Sequence, residues 1–196
     1  FGLPAKTDWP DRSVPPTLSD PIQNPKSKIQ NEEVLDLLTS LVDRSLVVYL
    51  SPETRDRALA GTGGESRYRL LEPVRQYAAD RLRQCEDGEA IRNRHRDFFL
   101  GWAEEIKPRL SGAEQAPWFS RLEAEHDNLR AALEWCRARG DAEEELRLAV
   151  ALSRFWDTHG HLHEGRAHLE AALGRMTPET PYRLRAEALG HAGWMA

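Results

Sequence analysis

The sequence predicts a mainly α fold carrying a single β-hairpin. Three observations predict it. Apolar residues recur at helical spacing through most of the 196 residues, one pair of short β-branched and aromatic runs flanks a glycine-rich stretch, and glycine or proline closes most helical stripes. No apolar run of about 18 residues is present to span a bilayer, and no basic-apolar-small pattern marks a secretory signal. A cytoplasmic location with no membrane partner is therefore expected. The chain opens on Phe1 and stops at Ala196 inside a helical pattern, so a longer protein is expected.

Residues 1–30 place Pro4, Pro10, Pro15, Pro16, Pro21 and Pro25 among polar residues without a sustained apolar period, as a disordered Pro-rich linker would. From Asn31 the pattern changes. Val34, Leu35, Leu37, Leu38, Leu41 and Val42 form an apolar stripe behind an Asn cap, with Glu32 and Glu33 at the positive end of the helix dipole. Leu46–Leu50 reads as a strand, and Arg67–Leu71 as its hairpin partner across residues 51–66. Pro73 then opens a helix whose face carries Val74, Tyr77, Ala78, Leu82 and Cys85. Helix, strand, long loop, strand, helix is the order of the later part of a winged-helix module, here residues 31–87.

Residues 88–140 read as a helical connector. Ile91, His95, Phe98, Phe99, Trp102 and Ile106 make one stripe, ended by Pro108 and Gly112. Trp118, Leu122, His126, Leu129, Leu133 and Cys136 make a second, ended by Gly140. Helices over Leu146–Trp156 and Leu162–Leu173 follow, joined at Gly160, and a last one starts near Pro181. Within them Leu152-Ser153, Trp156, Gly160, Gly165, Leu169, Ala172 and Pro178 fall close to the tetratricopeptide pattern, with Gly165 in place of the usual small Ala. Residues 141–196 are thus expected to be TPR-like repeats forming an α-helical solenoid, with Leu152, Trp156, Gly160, Gly165, Leu169 and Ala172 as packing positions. Leu184, Leu189 and Trp194, at the end of the array, are expected to be left partly uncovered.

Several kinds of chemistry are set aside by the residues. Gly61-Thr62-Gly63-Gly64-Glu65-Ser66 is no phosphate-cradling loop: it lacks a lysine, puts Glu65 where the anion would sit and leads into a strand. The two cysteines, Cys85 and Cys136, read as free buried thiols. His159, His161, His163 and His168 surround the Gly160 turn, but no cysteine or nearby acidic cluster completes a ligand set, so no metal site is expected. The acidic run from Asp141 to Glu145 reads as a solvated helix cap, and the tryptophans as core. No Ser-His-Asp or Cys-His set appears, so no catalytic site is expected. Charge is uneven: residues 1–43, 44–96 and 97–196 carry −3, +3 and −5, and only the middle segment is mildly basic.

"VLDLLTSLVDRSLV" (34–47), "RYRLLEPVRQYAADRL" (67–82), "HRDFFLGWAEE" (95–105) and "RLEAEHDNLRAALEWC" (121–136) resemble consecutive landmarks of bacterial STAND signal-transduction ATPases, multidomain regulators related in layout to NB-ARC proteins. The resemblance covers roughly residues 31–196. It implies a winged helix that relays the state of an upstream ATPase domain, in cis, to repeats that bind a protein or small-molecule effector. ATP and magnesium would belong to that upstream domain, with no cofactor in this chain. NB-ARC winged helices carry a Met-His-Asp motif, whose His is implied to read a nucleotide phosphate. Alignment puts Leu70, Leu71 and Glu72 there, so the sensor position at Leu71 and Glu72 is degenerate. The alternative is a winged-helix DNA-binding regulator, with Arg67, Arg69 and Arg75 meeting phosphates. Asp56, Glu65, Glu72 and Asp80 lie among those arginines, so DNA is not the expected partner of this segment.

Overall fold

A computed structural model of the chain describes residues 31–50, 67–112 and 114–195. The expected linker (1–30) and the expected wing loop (51–66) lie outside the described residues. The fold is mainly α, with one two-stranded antiparallel sheet. Among the described residues no helix is long and apolar enough to cross a membrane.

Helix α1 (Asn31–Asp43) ends where Ser45 takes a left-handed φ of 57°. The Ser45 N–H then reaches the Val42 carbonyl (2.8 Å) and the Leu46 N–H reaches that of Leu41 (2.9 Å), a Schellman closure built without the usual glycine. Strands β1 (Val47–Leu50) and β2 (Arg67–Leu70) pair with Val47 opposite Leu70 and Tyr49 opposite Tyr68. The two tyrosine rings lie 5.4 Å apart, a cross-strand pair that fixes register. Helix α2 (Glu72–Gln84) carries Pro73 in its first turn, where a missing N–H costs nothing. None of its side chains is buried.

That last point corrects the expected apolar face. Val74 and Leu82 are half-buried, whereas Tyr77 and Cys85 are exposed. Cys136 is fully buried, as expected, and burial pushes its thiol up to about 12. One thiol per chain should therefore react with Ellman's reagent under native conditions and two after denaturation, since the thiolate is the reacting species. Two fast thiols in the native protein would contradict the burial of Cys136.

The helical body starts at α3 (Gly88–Ile106), followed by a 3-10 turn (Lys107–Ser111), α4 (Gln115–Ala124), α5 (His126–Arg139), α6 (Ala142–His159), α7 (Leu162–Leu173) and α8 (Tyr182–Trp194). The single stripe expected from Trp118 to Cys136 is two helices, broken at Glu125. Its φ of −102° and ψ of 5° leave the helical region. Glu125 is buried and accepts an ion pair from Arg67 of β2, and the Arg67 guanidinium also donates to the Ala124 carbonyl at 2.8 Å. A tertiary contact thus wins over local periodicity.

Helix α6 is the centre of the body. Leu146, Leu148, Val150, Leu152, Phe155 and Trp156 are all buried, so its apolar residues surround the axis instead of lining one stripe. The helices around it explain why: α3, α5, α7 and α8 all pack on it. Phe99, Trp102 and Ile106 come from α3, Leu129 and Leu133 from α5, and Leu169 and Ala172 from α7, in one continuous core. Gly140 and Gly160 end α5 and α6 at φ of 79° and 78°, where an L side chain would be strained. At the C-terminal end Leu189 and Trp194 are exposed as expected, but Leu184 packs partly against the core.

Candidate functional site

The arginines expected to meet phosphate are not presented together. Arg67 turns toward the body and is held by Glu125 and the Ala124 carbonyl. Arg75 donates twice to Glu72, each bond 2.8 Å. Arg69 is exposed on β2. At the sensor position, Leu71 is the residue before α2 and is exposed, while Glu72 also accepts a bond from Gln76. Neither offers a cation or donor to a nucleotide phosphate.

The six repeat-packing positions come together around the α6–α7 turn. Leu152, Trp156, Gly165, Leu169 and Ala172 are buried, and Gly160 forms the left-handed turn between the helices. Gly165 sits against the indole of Trp156: a Cβ there would lie 2.5 Å from Cε3 and 2.9 Å from Cδ2. His168 stacks on the same indole, its ring 6.1 Å away and nearly parallel.

Glu145 corrects the reading of the acidic run as a solvated cap. Glu143 is exposed, but two residues on, about half a helical turn, Glu145 faces inward and is fully buried. Its Oε1 receives Arg137 at 3.2 Å and lies 3.1 Å from His168 Nδ1, and its Oε2 pairs with Arg175. Burial works to raise its pKa. The hydrogen bonds from His168 and Arg175 and the charges of Arg175 and Arg137 outweigh that and hold the carboxyl below its ordinary value.

The histidines around Gly160 separate. His168 joins Glu145, His163 points to solvent on the first turn of α7, and His159 lies against Phe119 and Phe155. His161 meets His126, their rings 4.5 Å apart. The acidic partners not visible near these histidines in sequence arrive from elsewhere: Glu123 from α4, with an oxygen 3.8 Å from His161 Nε2, and Glu164 from α7, with an oxygen 3.3 Å from His126 Nε2. Arg130 grips Glu164 through two hydrogen bonds of 2.8 and 2.5 Å. The sequence hints at this cluster through His161, one of the histidines at the Gly160 turn, and through His126, standing in an otherwise apolar stripe, but nothing in it joins the two or brings in Glu123.

A groove of ≈ 570 Å³ runs between the 3-10 turn, α6 and α8, lined among others by Lys107, Arg154, Asp157, His191 and Trp194. Its rims are tied by Lys107 to Glu187 and by the Trp194 indole N–H, which donates to Asp157 at 3.1 Å.

No protein-family profile and no solved structure matches the chain. It is similar to proteins that carry the provisional name HTH-type transcriptional regulator, from Mycobacterium tuberculosis (strains H37Rv and CDC 1551) and Mycobacterium bovis. Each is 38% identical over 161 residues, covering 79% of this chain. The chain spans 17% of the length of these relatives.

Proposed function

We propose that this chain is a non-catalytic regulatory segment of a STAND-type transcriptional regulator. The winged-helix portion (31–87) relays the state of an upstream ATPase domain to the TPR-like region (141–196), which binds a protein or small-molecule effector. The observation that carries this reading is the 38% identity to a stretch of much longer proteins named as transcriptional regulators. Two features of the site support it, the Arg67 anchor and the groove beside α8. The hairpin is bolted through Arg67 to the α4–α5 break, so a movement of the hairpin reaches the helical body directly. Leu71 offers no nucleotide contact, so the relay in this reading runs through movement of the winged-helix portion and not through direct nucleotide sensing. The groove beside α8 has both charged and apolar walls suited to an effector.

A second reading, that the hairpin and α2 bind DNA, draws on the helix-turn-helix name of the relatives and on exposed Arg69. Titration with duplex DNA at two salt concentrations separates the two. The regulatory reading expects weak binding at both. DNA recognition by this segment expects measurable affinity that falls steeply with salt, because each phosphate contact releases counterions. Micromolar binding of ATP or ADP to the isolated chain would overturn the expectation that nucleotide binds only in the upstream domain.

A further inference from the structure

His126 opens α5 with its side chain 8% exposed, and its Nε2, although 3.3 Å from a Glu164 oxygen, makes no hydrogen bond to it or to any other described residue. A buried ring nitrogen left in this state forfeits its solvation, and native structures rarely tolerate that without a reason. The ring belongs to a cluster of potential ligands. His126, His161 and Glu123 each offer one such atom, all within 4.8 Å of one another. A zinc-class ion bound tetrahedrally, with bonds of about 2.0–2.2 Å to imidazole nitrogen and carboxylate oxygen, holds its ligand atoms about 3.4 Å apart. His161 Nε2 and Glu123 Oε2 are 3.8 Å apart, and the exposed Glu123 side chain can close the difference by changing rotamer.

We propose that His126 Nε2, His161 Nε2 and the Glu123 carboxylate bind one divalent transition-metal ion of the zinc class. Two imidazoles and one carboxylate favour zinc, cobalt or nickel over magnesium or calcium, which prefer all-oxygen shells. Glu164, neutralised by Arg130, borders the site with an oxygen 3.3 Å from the same His126 Nε2, and it would cede that nitrogen to the ion. Glu123 is at the surface, so the fourth position opens to water or to an effector group. The bound ion pins the end of α4 and the start of α5 to the turn that leads into α7. This inference stands on the cluster alone and does not depend on the regulatory reading.

The test is calorimetric titration of the 196-residue chain with Zn²⁺, together with Co²⁺ as a spectroscopic probe of tetrahedral coordination. The expected result is one saturable ion per chain, a visible tetrahedral cobalt spectrum and a melting temperature that rises with zinc. His161→Asn and Glu123→Gln should each weaken binding by at least the roughly 10- to 100-fold that loss of an outer partner produces. Both should keep the fold, since Asn is favoured at the helix cap that His161 occupies and Glu123 is exposed. His163→Asn, outside the cluster, should change nothing. Absence of saturable one-to-one binding overturns the proposal, as does an affinity that neither His161→Asn nor Glu123→Gln moves.

Discussion

Glu145→Ala is expected to lower the unfolding free energy by about 3 kcal/mol, the lower part of the range for breaking a buried ion pair. The lower part applies because Arg137 and Arg175 are part-exposed, with 45% and 33% of their side-chain surface accessible, and can turn to water when the carboxylate is gone. At this chain length the loss corresponds to about 6–12 °C in melting temperature. The carboxylate joins α5 through Arg137, α7 through His168 and the segment after α7 through Arg175, so its removal loosens three contacts at once. The effect must also depend on pH. The folded-state pKa lies below the ordinary value of 4.5, so the contribution is complete above 4.5 and is lost as pH falls through the folded value. Denaturant unfolding of the parent and of Glu145→Gln should therefore show a gap at neutral pH that shrinks in acid. A gap that is constant or widens in acid would place the stabilisation elsewhere.

Gly165→Ala should destabilise by about 2 kcal/mol, although alanine is the better helix former by about 1 kcal/mol. The new methyl would overlap the Trp156 indole and touch Met195 Sδ at 3.0 Å. The methionine can yield, but the indole is fully buried between α7 and the rest of the core and cannot. Gly101→Ala is the control. It lies on the exposed side of α3 with open space around it, so the same change should stabilise by up to about 1 kcal/mol. Thermal melts of both variants give opposite signs if packing decides the first case and propensity the second. A second substitution at Trp156 should be less than additive with Gly165→Ala, because the two side chains share one contact.

The features legible in the sequence were those set by neighbours along the chain. The α6–α7 pair could be read from apolar spacing and from Gly160, and the hairpin from its two short apolar runs. Gly165 was visible as a departure from the usual small Ala, although its cause, the indole of Trp156, was not. What escaped depends on residues that meet only after folding. The break at Glu125 was hidden because the stripe from Leu122 through His126 to Leu129 continues without interruption, and the Arg67 that captures Glu125 lies in a different element. Glu145 resembled its exposed neighbours in composition and differs from them only in the direction that α6 points it. His161 stands out with the other histidines of the Gly160 turn but shows no completing ligand there, because His126 reads as part of an apolar stripe and Glu123 joins them from a third segment. The exposed face of α2 is not legible in the sequence, because helical periodicity records which residues could be buried and says nothing of whether a neighbour is present to bury them.

The position of α6 has a consequence for how this body comes apart. In a linear stack each unit touches only the next, so ends can fray while the middle persists. Here α3, α5, α7 and α8 share one partner. Loosening α6 uncovers the inner surface of all four together, and leaves chiefly the pairs α3 with α5 and α7 with α8 in contact. The region from α3 to α8 should thus behave as one cooperative unit, in which strain applied at the Arg67 anchor is either resisted by the whole body or released by all of it.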